Sequence, residues 1–212
     1  AAAIFQNICS VGAECVIVLF SDKWEVSSTT QYQLNPTREY HFERLLYKLD
    51  EHIHLFEGIL FIADNEQLTP KANASAKSIL SQQEKLCGGL LYLVQSITNT
   101  IANQLPKLWV CGDNTANDPL TNLYQSPLLG LTKVVAAEYH ELKCSSISIN
   151  GPLSAHQLLQ EISTVTREDQ ICYHNGVRSV ARLKDVNQTE TALPHASTVS
   201  STHLTLPTNL IV

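Results

Sequence analysis

The stretch "KLWVCGDNTANDPLTNLYQSPLLGLTKVVAAEYHELKCSSISIN", residues 107–150, decides the fold. Its first seven residues, "KLWVCGD", read as a buried strand. A polar loop follows, then "SPLLGLTKVVAAEYHEL" (126–142) has helical spacing, and "KCSSISIN" (143–150) is a strand again. Strand, crossover helix, strand is the repeating unit of a parallel sheet.

The same alternation extends in both directions. Upstream, "ECVIVLF" (14–20) is β-branched and apolar on both faces, as a central parallel strand would be, and "GILFIAD" (58–64) is a second buried strand. Between them "SDKWEVSSTTQYQLN" (21–35) reads as polar loop. Asn35 and Pro36 then open a helix over 36–51, with Phe42, Leu45, Leu46 and Leu49 on one face. Residues 1–11 have helical spacing, with Gly12 placed as a C-cap. Residues 73–103 are helical in pattern with a break expected at Gly88 and Gly89, and a further helix is expected over 154–165. "DQICYHNGVRSVARL" then gives two short strands around Asn175-Gly176, the strongest short hairpin signal because both turn residues tolerate positive φ. The expected fold is α/β: a Rossmann-like parallel sheet, truncated relative to short-chain dehydrogenases, with helices on both faces and a C-terminal β-hairpin. Residues 1–184 form the expected domain. The Thr-, Ser-, Asn- and Pro-rich 185–212 is expected to be a linker or edge segment leading to the next domain.

Composition narrows the function. The chain has 212 residues, with 14 Lys and Arg against 20 Asp and Glu, for a formal charge of −6. Its cations are scattered, which argues against nucleic acid as a partner. No apolar run approaches the roughly 20 residues of a membrane helix. Six cysteines, none in Cys-x-x-Cys, sit mostly inside apolar runs, which points to reduced thiols and the cytoplasm. The pair His52 and His54 lacks a third ligand at a supporting spacing, so no metal site is expected. The chain contains no methionine and opens on three alanines, so it reads as a piece of something longer.

One spacing suggests chemistry. Tyr139 and Lys143 match Tyr-x-x-x-Lys, the proton-donating pair of short-chain dehydrogenases, and Ser126 stands thirteen residues upstream. Position opposes spacing. In those reductases the tyrosine sits near the start of a long helix, whereas Tyr139 falls at a helix end and a strand follows Lys143 at once. The positions such a fold would use are Cys111, Tyr124 and Leu128, and neither a thiol nor an isobutyl group can relay the proton or bind the cofactor there. None of the eight glycines forms Gly-x-Gly, and the loop after "CVIVLF" holds Trp24 instead. No catalytic, cofactor-binding or metal-binding residue is expected.

Residues 106–149 closely resemble the structural, non-catalytic subdomain of ketoreductases in modular polyketide synthases. The match lies in Gln125, Pro127, Leu128, Gly130, Leu131, Glu138, Glu141, Leu142 and Cys144, with Tyr139 and His140 replacing the family's His-Pro. "EDQICYHNGVRSVARL" is similar to that family's closing hairpin, and "YQLNPTREYHFERLLYKL" with "FEGILFIAD" to its second helix and third strand. The family's first strand and its glycine-containing turn have no counterpart in residues 1–212. The resemblance implies a cofactor-free scaffold that stabilises and positions an NADPH-dependent β-ketoacyl reductase half. Its partners would be that catalytic subdomain and neighbouring domains of the synthase, with the acyl carrier protein an indirect one. A pseudo-ketoreductase is a variant of this reading. The alternatives are an active short-chain dehydrogenase whose cofactor loop precedes residue 1, with Tyr139, Lys143 and Ser126 catalytic, and an unrelated Rossmann-like binding module.

Overall fold

The computed structural model describes residues 10, 12, 14–49, 55–63, 75–101, 105–113, 119–150, 155–164, 166 and 168–182. The chain divides into two compact units, Ala1–Ala181 and Arg182–Val212, and every element below belongs to the first. The expected helix over 1–11 lies almost wholly outside the described residues; Gly12 has φ +80°, the left-handed conformation of a C-cap.

The main sheet has five strands in the order β4-β5-β6-β7-β8: β4 Gly58–Ile62, β5 Lys107–Asp113, β6 Ser145–Asn150, β7 Gln170–His174 and β8 Val177–Val180. The first four run parallel, and β8 returns antiparallel through Asn175 and Gly176, at φ +49° and +79°. The hairpin expected from Asn-Gly is therefore present, and the fold is the mixed, Rossmann-like α/β arrangement expected. Its helices are α1 Glu39–Leu49, α2 Ala76–Thr100, α3 Pro119–Glu138 and α4 Ala155–Ser163.

Strand β5 is buried on both faces, and its alternation sorts the helices. Leu108 and Val110 join one apolar cluster with Phe42 and Leu46 of α1, Leu90 and Ile97 of α2, and Leu128 and Val135 of α3. Trp109 and Cys111 join a second cluster with Ile147, Ile171, Tyr173 and Leu158 of α4. Each large apolar side chain so buried contributes about 1.5–3 kcal/mol. Because the strand order steps one way while α3 and α4 lie on opposite faces, the β5-α3-β6 and β6-α4-β7 crossovers have opposite hands. One of them departs from the usual right-handed form.

Three expectations are corrected. The segment 21–35 is not loop throughout: Glu25–Ser28 (β2) and Gln31–Leu34 (β3) pair antiparallel, and period-two burial places Tyr32 and Leu34 in the core. Second, "CVIVLF" does not enter the main sheet. Its Ile17–Phe20 (β1) pairs parallel with β3 in a separate three-stranded sheet of order β1-β3-β2, and so lies at an edge. Third, α2 passes unbroken through Gly88 and Gly89. A Cβ at Gly89 would stand 3.0 Å from the Phe20 ring and 3.2 Å from Pro36, so this glycine serves close packing against β1 rather than a break.

Helix α3 also begins seven residues before the expected Ser126, which leaves Pro127 in its interior. Proline there removes the N–H that would bond the carbonyl four residues back. That carbonyl belongs to Leu123, and Gln83 Nε2 of α2 donates to it at 2.9 Å. The orphan created by Pro127 thus becomes a tie between two helices.

The entry to α1 depends on His41. Asn35 N–H donates to His41 Nδ1 at 2.8 Å, while Asn35 Oδ1 accepts from the Thr37 backbone and hydroxyl. Burial first, then the charges of Arg44 and Arg38, lowers the His41 pKa and favours the neutral ring that this bond requires.

Two outcomes test these points. Gln83→Ala destabilises the chain by about 1 kcal/mol, the ordinary worth of one hydrogen bond, but has little effect in a Pro127→Ala background where the helix bond is restored; urea unfolding of the four proteins measures the cycle. Stability also falls as pH drops below about 6.5 toward the lower folded pKa of His41, since protonation destroys the Nδ1 acceptor. His41→Phe should flatten that part of the pH profile of thermal unfolding.

Candidate functional site

In an open parallel sheet, ligands lie beyond the carboxyl ends of the strands. Tyr139 and Lys143 lie at the opposite end. Helix α3 stops at Glu138, Tyr139 leads into a short 3-10 turn, His140–Leu142, and Lys143 takes the left-handed conformation at φ 43°, just before β6 begins. The two residues therefore do not share a helical face. The Lys107 amine at the amino end of β5 has its pKa lowered by burial and further by Lys143, with Glu161 opposing, so Lys143 belongs to the amino edge of the sheet. Ser126 lies thirteen residues before Tyr139 along α3, about 20 Å at 1.5 Å per residue. Hydrogen-bond reach is about 3 Å, so the structure does not bring Ser126 together with Tyr139.

The three residues chosen by position are all buried. Cys111 faces the α4 side of the sheet, and burial pushes its thiol pKa up to about 12, the opposite of what a reactive cysteine needs. Leu128 is in the core on the α3 side, so the sheet separates it from Cys111. Tyr124 is buried on α3 one turn before Leu128. Between them Gln125, also buried, lies against Gly112: a Cβ on that glycine would stand 2.9 Å from the Gln125 Oε1.

A reductase of this fold would hold its dinucleotide where the first strand turns into a helix. That first strand has no counterpart in residues 1–212; β1, the first strand described, leads into β2 rather than into a helix. Trp24 fills the turn, its ring 6.2 Å from Tyr32 and 5.8 Å from His41, with the Arg44 guanidinium 4.8 Å above it. At β1 the residues present do not fit a pyrophosphate. His52 and His54 lie outside the described residues, among which no three His, Cys, Asp or Glu side chains converge as metal ligands would. Among these residues also, no helix is long and apolar enough to cross a membrane.

One polar constellation escaped the sequence reading. Glu161 of α4 is buried and accepts from Tyr173 Oη at 2.6 Å, from Arg178 Nε at 2.6 Å and from Arg178 Nη2 at 3.0 Å. Gln157 Nε2 donates to the Gly176 carbonyl at 3.1 Å, so α4 is fastened to the hairpin at two levels. The Arg178 bonds, aided by Tyr173, hold the Glu161 carboxyl below its ordinary pKa against the effect of burial. Burial and then Glu161 push the Tyr173 phenol up to about 12. The three side chains border a cavity of about 500 Å3, with Gln160, Thr164 and Thr166 on its rim. The carboxylate is already bonded by both partners, so it serves as a clamp rather than as a general base. A glutamate inside an amphipathic helix twelve residues before a strand tyrosine carries no distinctive spacing. Only the cross-strand register, which sets Tyr173 beside Arg178, brings the three together.

A model of the family described as beta-ketoacyl synthase-like, N-terminal, matches residues 1–167. The chain belongs to that family. Solved structures of similar fold include the adenylation, ketoreductase and pseudo-Asub multidomain structure of a keto acid-selecting NRPS module (14% identity, TM-score 0.68), of which 83% of this chain covers 15%. Another is an N-terminal ketoreductase from the macrolactin assembly line (14% identity, TM-score 0.61), where 87% of this chain covers 38%. A third is a putative short-chain alcohol dehydrogenase from Burkholderia multivorans (12% identity, TM-score 0.62), with 84% of this chain on 92% of that one. The chain thus spans well under half of either assembly-line protein. No curated protein matches it. The family description speaks of ketoacyl synthases, while these three structures are reductase-like in fold. At such identities the likeness establishes fold alone, and the expected relation to synthase ketoreductases holds at that level.

The clamp has two pH limbs. Glu161, with its folded pKa lowered, adds stability that is present above about 4.3 and lost as pH falls through the folded value. Tyr173, raised to about 12, adds stability that is full below about pH 10 and lost as pH rises from there toward 12. Tyr173→Phe should remove the alkaline limb. Glu161→Gln should cost about 1–2 kcal/mol, a figure kept small because Arg178 is partly exposed; chemical denaturation at stepped pH reads both.

Proposed function

We propose that this chain is a non-catalytic scaffold subdomain of a modular polyketide synthase, stabilising and positioning an NADPH-dependent β-ketoacyl reductase half. The observation that carries this reading is the placement of the Tyr-x-x-x-Lys pair at the amino ends of the strands. The positions at the carboxyl side that could act are occupied by buried Cys111 and Leu128. Family membership and the ketoreductase-like fold support the multienzyme setting. In this reading residues 1–184 are the subdomain and 185–212 lead to the next domain. The protein binds no cofactor itself, works in the cytoplasm, and has as partners the catalytic half and neighbouring domains, with the acyl carrier protein reached through them.

The test is made in the parent synthase and on the chain alone. Tyr139→Phe should leave ketone reduction unchanged, measured by product analysis of the intact synthase; a large loss of turnover with folding intact would overturn the reading. NADPH titrated into residues 1–212, followed by fluorescence or calorimetry, should give no saturable binding in the micromolar range. Binding there would favour an active dehydrogenase.

A further inference from the structure

A strand inside a parallel sheet is ordinarily apolar on both faces, because helices cover both. Strand β5 follows that rule. Strands β6 and β7 follow it only on the α4 side, where Ile147, Ile149, Ile171 and Tyr173 pack together. By the register of the ladder, their other side carries Ser148 and Asn150 on β6 and Cys172 and His174 on β7. No residue of β7 joins the apolar cluster that α3 shares with β5. His174 is exposed, and Ser148, Asn150 and Cys172 are half-buried.

These four side chains form one set. Ser148 stands across the ladder from Cys172, and Asn150 across from His174, at the strand spacing of about 4.8 Å. Cys172, a free thiol, and His174 share a face of β7 two residues apart, about 6.6 Å along the strand. Side-chain rotation closes such a separation to hydrogen-bond reach. The backbone beneath them is fixed: the Asn175 N–H donates to the Asn150 carbonyl at 2.7 Å, and Ser179 Oγ of β8 donates to the Cys172 carbonyl at 3.2 Å. Asn150 and His174 are the last residues of their strands, so the set lies at the carboxyl edge, where open α/β sheets take ligands. A thiol, an imidazole beside it and an amide able to accept from that imidazole are the parts by which a cysteine becomes an acyl acceptor.

We propose that Cys172 is an acyl-accepting thiol whose donor is an acyl thioester, with His174 carrying its proton and Asn150, as a positioning residue, holding the imidazole. Cys172 Sγ attacks the thioester carbonyl; a new S–C bond forms and the donor's C–S bond breaks. His174 takes the thiol proton and passes it to the departing thiolate. One thioester replaces another, so nothing is oxidised or reduced and no co-reactant is consumed. The Ser148 hydroxyl, across from Cys172, is placed to donate to the carbonyl oxygen as that atom gains charge. A half-open face suits a donor whose leaving group departs easily, which a thiolate does and an amide nitrogen does not. The site takes one acyl group per chain and does not turn over, so it goes beyond the scaffold reading without resting on it.

The experiment incubates the whole 1–212 chain with the acetyl thioester of N-acetylcysteamine near neutral pH and follows acetylation at each cysteine by peptide mass spectrometry. Cys15 and Cys87, half-buried like Cys172, serve as internal references. The expected result is that Cys172 is acetylated about tenfold or more faster than either. His174→Ala should bring Cys172 down to the reference rate, and added imidazole should restore it. Asn150→Ala should slow Cys172 and shift its pH–rate profile, whereas Asn150→Asp, which keeps the acceptor, should retain the rate. Buried Cys111 and Cys144 report folding, since they become labelled only in a variant that has opened. Equal rates at Cys15, Cys87 and Cys172 would overturn the site, as would a fast Cys172 that His174→Ala leaves unchanged or that imidazole does not rescue. An Asn150→Ala chain identical to the parent in rate and pH profile would overturn the part given to Asn150. NADPH plays no part in this readout, so this inference and the scaffold reading can each fail alone.

Discussion

The structure depends on strand β5 being covered on both faces. A strand with Leu108 and Val110 on one side and Trp109 and Cys111 on the other cannot face water on either, so α3 must lie on the first side and α4 on the second. Since β6 and β7 continue in the same direction from β5, that requirement forces the two crossovers to opposite hands. It also explains the Glu161 clamp. Helix α4 has only nine residues with which to cover its face, and a buried carboxylate bonded by Tyr173 and Arg178 fixes it to strands that apolar contact alone would hold loosely. A charged pair of this kind adds little net stability over an apolar one, but its three hydrogen bonds are directional where apolar contact is not.

Much of this was legible in the sequence because the long-range signals are strong. The β5-α3-β6 unit, the amphipathic face of α1 and the Asn175-Gly176 turn each have one physical reading. What was not legible has a common cause: the deciding partner lies elsewhere in the chain. Gly88-Gly89 reads as a helix break until Phe20 and Pro36 are seen to need the space. Pro127 reads as a helix start until Gln83 is found on the carbonyl it orphans. The β2-β3 hairpin is too short and too polar to signal itself, apart from the alternation of Tyr32 and Leu34. For β1, apolarity on both faces reads as a buried central strand, whereas Ile17, Val18 and Phe20 are only half-buried and Leu19 is exposed at an edge whose neighbour the pattern does not name.

The same distinction applies to the spacing of Tyr139 and Lys143. A spacing of four is a statement about a helix, and it has chemical meaning only if the helix continues through both residues and points them to the carboxyl side of the sheet. Here the helix ends at Glu138, and Lys143 sits in a left-handed turn. Cys111 and Leu128, at the positions such a site would use, are buried on opposite sides of the sheet. The candidate site was less legible than the fold, because Glu161, Tyr173 and Arg178 come together only through the register of β7 and β8.

Four of the residues that carry the family resemblance have identifiable packing roles. Gln125 rests its amide on Gly112, where any larger residue would collide with it. Pro127 frees the Leu123 carbonyl for Gln83, Leu128 fills the core beside β5, and Leu142 closes that core from the 3-10 turn. Gly130 faces open space, and nothing in the structure accounts for it. These contacts tie α3 to its neighbours, Gln125 to β5 and Leu123, through Gln83, to α2, while the buried Cys111 thiol stands on the opposite face of β5.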